Sequence, residues 1–229
     1  MRECQGGRGI SYPMRLRAWL VRRIVDSLVV SGPCPRALVS DPDPKRFLNK
    51  DDPMPPETAP ALLDLRGRFV EGMARAATFV SVITTTGAAG RAGVTVSSMT
   101  SVSADGTEPS LLFCLHHRSQ STLTLLANRG FCANLLHENQ QGAADLFSGR
   151  KNIDGAERFD QIDWAAGQNG QPILGGATAS FECDLGTAVL WETHYIIVGK
   201  VTKVHLSDDP AALLYGQRAY RRAVSMPKT

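Results

Sequence analysis

Paired cysteines are missing from this chain. The five present, Cys4, Cys34, Cys114, Cys132 and Cys183, are odd in number and widely spaced. With no C-x-x-C pair among them, neither a zinc site nor a dithiol redox site is encoded, and they read as buried or idle thiols in a reducing cytoplasm. Long apolar runs are missing too: none reaches the ~20 residues of a membrane span. The best candidate, Leu20-Val21-Arg22-Arg23-Ile24-Val25-Asp26, is broken by charge. The N-terminus has no signal-peptide pattern, so a soluble, cytoplasmic protein is expected. Charge of one sign is scarce, with a net +3 and a pI near 8.7. Nucleic-acid binders concentrate basic residues on one face, and no such partner is expected here. No G-x-S-x-G occurs, which removes the nucleophile-elbow hydrolases. Asp184 and Glu192 sit beside turn residues and read as solvated charge, not as a catalytic carboxylate pair.

What is present suits one globular domain: 229 residues, 43% hydrophobic and 21% charged, enough to bury a full core. Residues 1–57 stand apart. They are Arg-rich to Arg36 and then punctuated by Asp41-Pro42-Asp43-Pro44 and Asp52-Pro53-Met54-Pro55-Pro56, the pattern of a tail or linker. Within it, Met14 to Val30 has the spacing of a short basic amphipathic helix, and Met54 is a possible alternative start. From Thr58, a plausible helix cap, the domain proper runs to residue 229. Leu62, Leu65, Phe69 and Met73 recur every three or four residues, as on one buried helix face.

Short β-type runs follow at 79–86, 92–98, 111–115, 131–136, 179–185 and 195–206, most of them separated by turn residues. Two helical inserts interrupt them: Ser119 to Asn128, stopped by Gly130, and Glu138 to Phe147, stopped by Gly149. The expected fold class is mainly β, a closed or nearly closed antiparallel barrel with a few flanking helices and not a parallel doubly wound sheet.

The turn Gly87-Ala88-Ala89-Gly90-Arg91-Ala92-Gly93 matches neither G-x-G-x-x-G nor a P-loop, and a strand follows it, so it reads as a hairpin connection. Any nicotinamide cofactor would therefore bind without a Rossmann unit. The run Thr95-Val96-Ser97-Ser98-Met99-Thr100-Ser101-Val102-Ser103 carries hydroxyls on both faces if extended. Such a strand either lies exposed or leaves the sheet to line a polar site. Downstream, the buried run Leu111-Leu112-Phe113-Cys114-Leu115 leads through His116-His117-Arg118 into a helix opening with Ser119 and Ser121. Unpaired amides and the positive dipole end there suit a phosphate, with Arg118 adding charge; equally, Ser119 or Ser121 is a simple cap. His116 and His117, as strand neighbours, would point to opposite faces, against joint metal binding. His194, in a strongly apolar strand, reads by itself as a core histidine, while His137 and His205 carry no assigned role.

The ordered set Gly93-x-Thr95-x-Ser97-Ser98-Met99-x-Ser101-x-Ser103, Arg118-Ser119-x-Ser121-x-x-x-Leu125 and Phe131-Cys132-Ala133-Asn134-Leu135-Leu136 resembles the flavin reductase family. Arg158-Phe159-Asp160 with Trp164, Gly170-x-Pro172-Ile173-Leu174, Thr193-His194-Tyr195-Ile196-Ile197-Val198-Gly199-Lys200-Val201 and Leu213-Leu214-Tyr215 extend the resemblance, which spans Leu65 to about Arg222. Met99 stands where many of that family carry an aromatic, and Gln120 where they carry arginine.

The resemblance implies an FMN-binding split β-barrel, a homodimer with flavin near the subunit interface, and FMN or FAD as cofactor with NADH or NADPH as donor. It implies flavin contacts from Gly93, Val94, Thr95, Ser97, Ser98, Cys114 and His116, with the phosphate held by Arg118, Ser119, Gln120, Ser121 and Thr122. It moves His194 out of the core reading to the catalytic, nicotinamide side, with Tyr215 beside it. The expected activity is hydride transfer from nicotinamide C4 to flavin N5, supplying reduced flavin to a monooxygenase partner. The alternatives are a retained flavin reducing an acceptor such as a cobalt corrinoid, or a non-enzymatic flavin- or haem-binding dimer or basic-tailed interaction protein.

Overall fold

The computed structural model describes residues 59–149, 153 and 155–227. The tail of residues 1–57 with its basic helix, the alternative start at Met54 and the cap at Thr58 lie outside them. Among the described residues, helix α1 (Ala59–Ala74) precedes strands β1 (Thr78–Phe79), β2 (Ser81–Thr85), β3 (Ala92–Val96), β4 (Thr100–Ser103) and β5 (Ser110–His116). Helix α2 (Gln120–Asn128), β6 (Gly130–Leu135) and α3 (Gln141–Phe147) come next. A 3-10 turn (Glu157–Gln161) leads into β7 (Trp164–Ala166), β8 (Pro172–Leu174), β9 (Ala179–Trp191), β10 (His194–Leu206), β11 (Leu213–Gly216) and β12 (Ala219–Arg222). No helix among them is long and apolar enough to cross a membrane.

Seven strands form one antiparallel sheet in the order β3-β2-β6-β9-β10-β5-β4. The two edge strands, β3 and β4, are consecutive in the chain and joined only by residues 97–99. A seven-stranded sheet whose opposite edges are linked by so few residues must curl until the edges meet, which is the split barrel. The hydroxyl run is thus not one strand: Thr95 and Val96 end one edge, and Thr100 to Ser103 begin the other, fully exposed. Ser98 stitches the seam, its Oγ accepting from the Cys114 amide at 3.0 Å and lying 3.4 Å from the Cys114 carbonyl.

β2 is buried along its whole length because both its faces are covered. Ile83 faces the barrel interior with Phe113, Leu125, Phe131 and Ile197. Val80, just before the strand, and Val82 face an outer cluster with Leu136, Ala144, Phe147, Phe159 and Leu213. Gly93 belongs to this packing: a Cβ there would lie 2.6 Å from the ring of Phe147, so only glycine fits.

Four expectations change. The α1 stripe is not buried in this chain: Leu65 and Phe69 are 65% exposed and Met73 57%. Periodicity reports that a face needs cover, not which surface supplies it. The first helical insert ends through Arg129, whose φ of 60° takes the left-handed position expected of a glycine, while Gly130 already starts β6. The second begins at Gln141, three residues late, because Glu138 to Gln140 make a turn in which Gln140 closes on His137. Gly149, with φ of 76°, ends that helix as expected. Finally, β5 stops at His116, so His117 is outside the strand and the two rings meet edge to face at 5.0 Å instead of pointing apart.

Candidate functional site

Antiparallel pairing of β2 with β3 makes the Gly87 to Arg91 segment a hairpin connection and sets β3 at the sheet edge. Against β3 lies α2, tied by Ser121 Oγ donating to the Gly93 carbonyl at 3.1 Å. α3 lies there too, tied by Thr95 Oγ1 donating to the Ala144 carbonyl at 2.7 Å. Two cavities open along this strand. One, of about 320 Å³, is lined by Val94, Ser119, Gln120, Ser121, Arg91 and Arg158 among others. The next, of about 200 Å³, is lined by Thr95, Val96, Ser97, Tyr215 and Tyr220. Ser148 lines both, so together they form a groove running along β3.

The start of α2 closes one end of the groove. Ser119 has extended backbone and makes no side-chain cap bond, and Thr122 turns its hydroxyl back to the His116 carbonyl at 2.9 Å. The Thr122 amide closes on the Ser119 carbonyl at 3.0 Å, so the Gln120 and Ser121 amides are the ones left to an acceptor arriving from outside, which favours an anion. At the other end Tyr215 meets Tyr220 edge to face at 5.4 Å, and the Tyr220 hydroxyl donates to Asp145 at 2.8 Å. Those contacts fix the ring of Tyr215 opposite Thr95 and Ser97.

The groove thus gathers Val94, Thr95, Ser97, Ser119, Gln120, Ser121 and Tyr215 from the sequence expectation. Gly93 contributes its carbonyl, with its Cα face against Phe147. Thr122 is buried and Ser98 stands at the barrel seam beside half-buried Cys114. Arg118 is exposed and does not line the cavity at the helix start. Its amide donates to Nδ1 of His116 at 3.1 Å. His116 and His194 are register partners on β5 and β10, their rings 5.2 Å apart and near perpendicular. Exposed at the start of β10, with Nδ1 2.9 Å from the Thr193 hydroxyl, His194 is not a core histidine. It does not line the cavity that holds Tyr215.

Two residues escaped the sequence reading. Arg91 seemed only a hairpin residue, and Arg158 only part of a recurring motif. The structure sets the Arg91 guanidinium 4.3 Å from the centre of the Trp164 ring and 5.4 Å from that of Phe159. Arg158 Nε donates to the Ile153 carbonyl at 3.2 Å. The available signal was an arginine in an otherwise small-residue turn.

The two buried thiols, Cys132 and Cys183, are not poised for nucleophilic work. Burial, with help from neighbouring Asp184 and Glu182, pushes Cys183 up to about 12, and burial drives Cys132 up as well.

Comparison with known proteins places this architecture. Residues 73–223 match the flavin reductase like domain. The FMN reductase (NADH) RutF of Stutzerimonas stutzeri is 36% identical over 156 residues, 68% of this chain and 87% of that protein. The reductase component of 4-hydroxyphenylacetate 3-monooxygenase from Salmonella typhimurium is 34% identical over 155 residues, 68% of this chain and 90% of that one. Among solved structures, the Streptomyces globisporus NADH:FAD oxidoreductase SgcE6, determined with NAD and FAD fragments, superposes with a TM-score of 0.63. It is 27% identical, over 69% of this chain and 93% of its own. The split barrel with its β3 groove therefore belongs to the flavin reductase-like domain family.

Proposed function

We propose that the protein is an NADH-dependent flavin reductase that passes reduced flavin to a monooxygenase component. The observation that carries this reading is the groove along β3, with an uncapped helix start at one end and a braced tyrosine facing hydroxyls at the other. Flavin bound there supplies a hydride acceptor at N5, the nicotinamide supplying the hydride. The chain's own task is to hold and orient. The open Gln120 and Ser121 amides of α2 with the Ser119 hydroxyl suit the terminal phosphate. Thr95 and Ser97 present polar groups along the ring edge, and Tyr215 closes the far side. We assign His194 to the nicotinamide side, where Thr193 fixes its ring.

We further propose a homodimer working in the cytoplasm. The bare stripe of Leu65, Phe69 and Met73, with Val189, Leu190 and Trp191 exposed at the β9 end, supports a second copy as cover. The three described cysteines are all free thiols, which supports a reducing compartment.

The test is NADH oxidation by the purified protein with and without added FMN or FAD. Flavin-dependent oxidation is expected, and its absence with both flavins overturns the reading. A His194→Ala variant should bind flavin as before and lose NADH turnover.

A further inference from the structure

The cavity at the start of α2 holds more positive charge than one phosphate requires. Arg91 and Arg158 both line it, both are half-buried, and neither makes an ion pair among the described residues. Nε of Arg91 is buried with no hydrogen-bond partner among the described residues. A guanidinium taken partly out of water without a counter-charge is costly, and an unanswered buried donor adds to that cost. Arg91 is also held in place, stacked on Trp164 and against Phe159, so it cannot easily swing back to solvent. The uncapped α2 turn and the Ser119 hydroxyl already suit a single terminal phosphate. Two further guanidiniums lining the same cavity call for a second anionic group joined to the first, and a planar fork matches phosphate oxygens in pairs.

Resting on the flavin-reductase reading above, we propose that Arg91 and Arg158 form a subsite for the second phosphate of FAD, so that the groove selects a flavin dinucleotide over FMN. The diphosphate spans the cavity, one phosphate at the amides of α2 and the other between the two guanidiniums. The isoalloxazine end is the same for both flavins, so the preference resides at this end of the groove.

The experiment measures dissociation constants of FAD, FMN and riboflavin for the full chain by flavin fluorescence, together with the KM for NADH. Wild type should bind FAD more tightly than FMN. Arg158→Ala should weaken FAD about tenfold, as expected for a lost charged hydrogen bond, and FMN by less than about threefold. Because Arg91→Ala also removes packing on Trp164, Arg91→Lys serves as its companion. Lysine keeps the charge and loses the fork, and should weaken FAD by an intermediate factor with the melting temperature held. Equal weakening of FAD and FMN would overturn the proposal, because the arginines would then hold the flavin's own terminal phosphate. A raised KM for NADH with FAD affinity intact would also overturn it, since the diphosphate recognised would be that of the nicotinamide dinucleotide. Unchanged affinities in all variants overturn it too. Failure of wild type to bind any flavin, riboflavin included, is a different result and strikes the enzyme reading itself.

Discussion

Polar groups are buried in two regions of this molecule, and the two are finished differently. Across β2, β6, β8 and β9 the bonds centred on Asn134 are closed, although the buried Ser81 hydroxyl on β2 has no partner among the described residues. Asn134, fully buried, donates to the Val82 carbonyl and to Thr84 Oγ1, each at 3.1 Å. Its oxygen accepts from the Leu174 amide at 3.0 Å and the Ser180 hydroxyl at 2.9 Å. Thr84 in turn donates to the Pro172 carbonyl. Along β3, by contrast, the helix start is uncapped, Arg91 Nε has no partner, and two arginines lack carboxylates among the described residues. A buried network that satisfies itself holds strands in register; one that stops short is waiting for something that is not protein. The first region therefore responds to mutation in stability and the second in binding.

The sharpest break comes at Asn134. Replacing it with alanine leaves the Leu174 amide and the Ser180 hydroxyl without their acceptor, and takes a donor from Val82 and Thr84. We expect a loss of about 3–5 kcal/mol in urea unfolding, with flavin affinity of the remaining folded protein unchanged. An unshifted unfolding midpoint would remove the distinction between the two regions.

A smaller effect is expected at Glu182, which is fully buried with His205 Nε2 at 2.7 Å and the Asn169 amide donating at 2.8 Å. Burial opposes its charge, but the amides of Asn169 and Gln168 and the His205 ring outweigh it, so the carboxyl is held below its ordinary value of 4.5. A carboxyl depressed by folding stabilises the protein above its unfolded pKa. That contribution is lost as pH falls through the lowered folded value. Glu182→Gln should therefore cost about 1–3 kcal/mol at neutral pH and flatten the acid limb of a stability profile taken by thermal melting. A parallel acid limb in the variant would show that another group sets it.

Much of this plan was legible before any coordinates, and the reasons for the gaps are physical. Strands with strong apolar runs, such as β5 and β10, emerged within a residue or so because their composition is that of buried strands. β7, β8, β11 and β12 are three or four residues long, too short for periodicity to speak. The hydroxyl run was recognised as unusual, yet its division between opposite sheet edges is a property of barrel closure that no local pattern encodes. The sequence singles out the helix start through Ser119 and Ser121 with Arg118 as its cation. The cavity there is lined by Arg91 and Arg158 instead, because Arg118 adjoins it in sequence whereas they reach it only through the fold. The α1 stripe was read correctly as apolar and wrongly as covered within the chain.

The finest cut between the two regions is Ser119. The side-chain oxygen of an ordinary N-cap serine accepts from an amide of the first helical turn, and its loss costs about 1 kcal/mol. Ser119 makes no such bond, although its backbone has the extended geometry of a cap and its carbonyl already accepts from the Thr122 amide at 3.0 Å. If the hydroxyl is kept free for a ligand phosphate, Ser119→Ala should change the unfolding free energy by less than about 0.5 kcal/mol, as for a surface substitution away from any cap. It should weaken flavin binding several-fold, with riboflavin, which has no phosphate, unaffected. A full capping cost with unchanged flavin affinity would return Ser119 to the helix. The open end of the groove would then have to find its phosphate donors in the backbone alone.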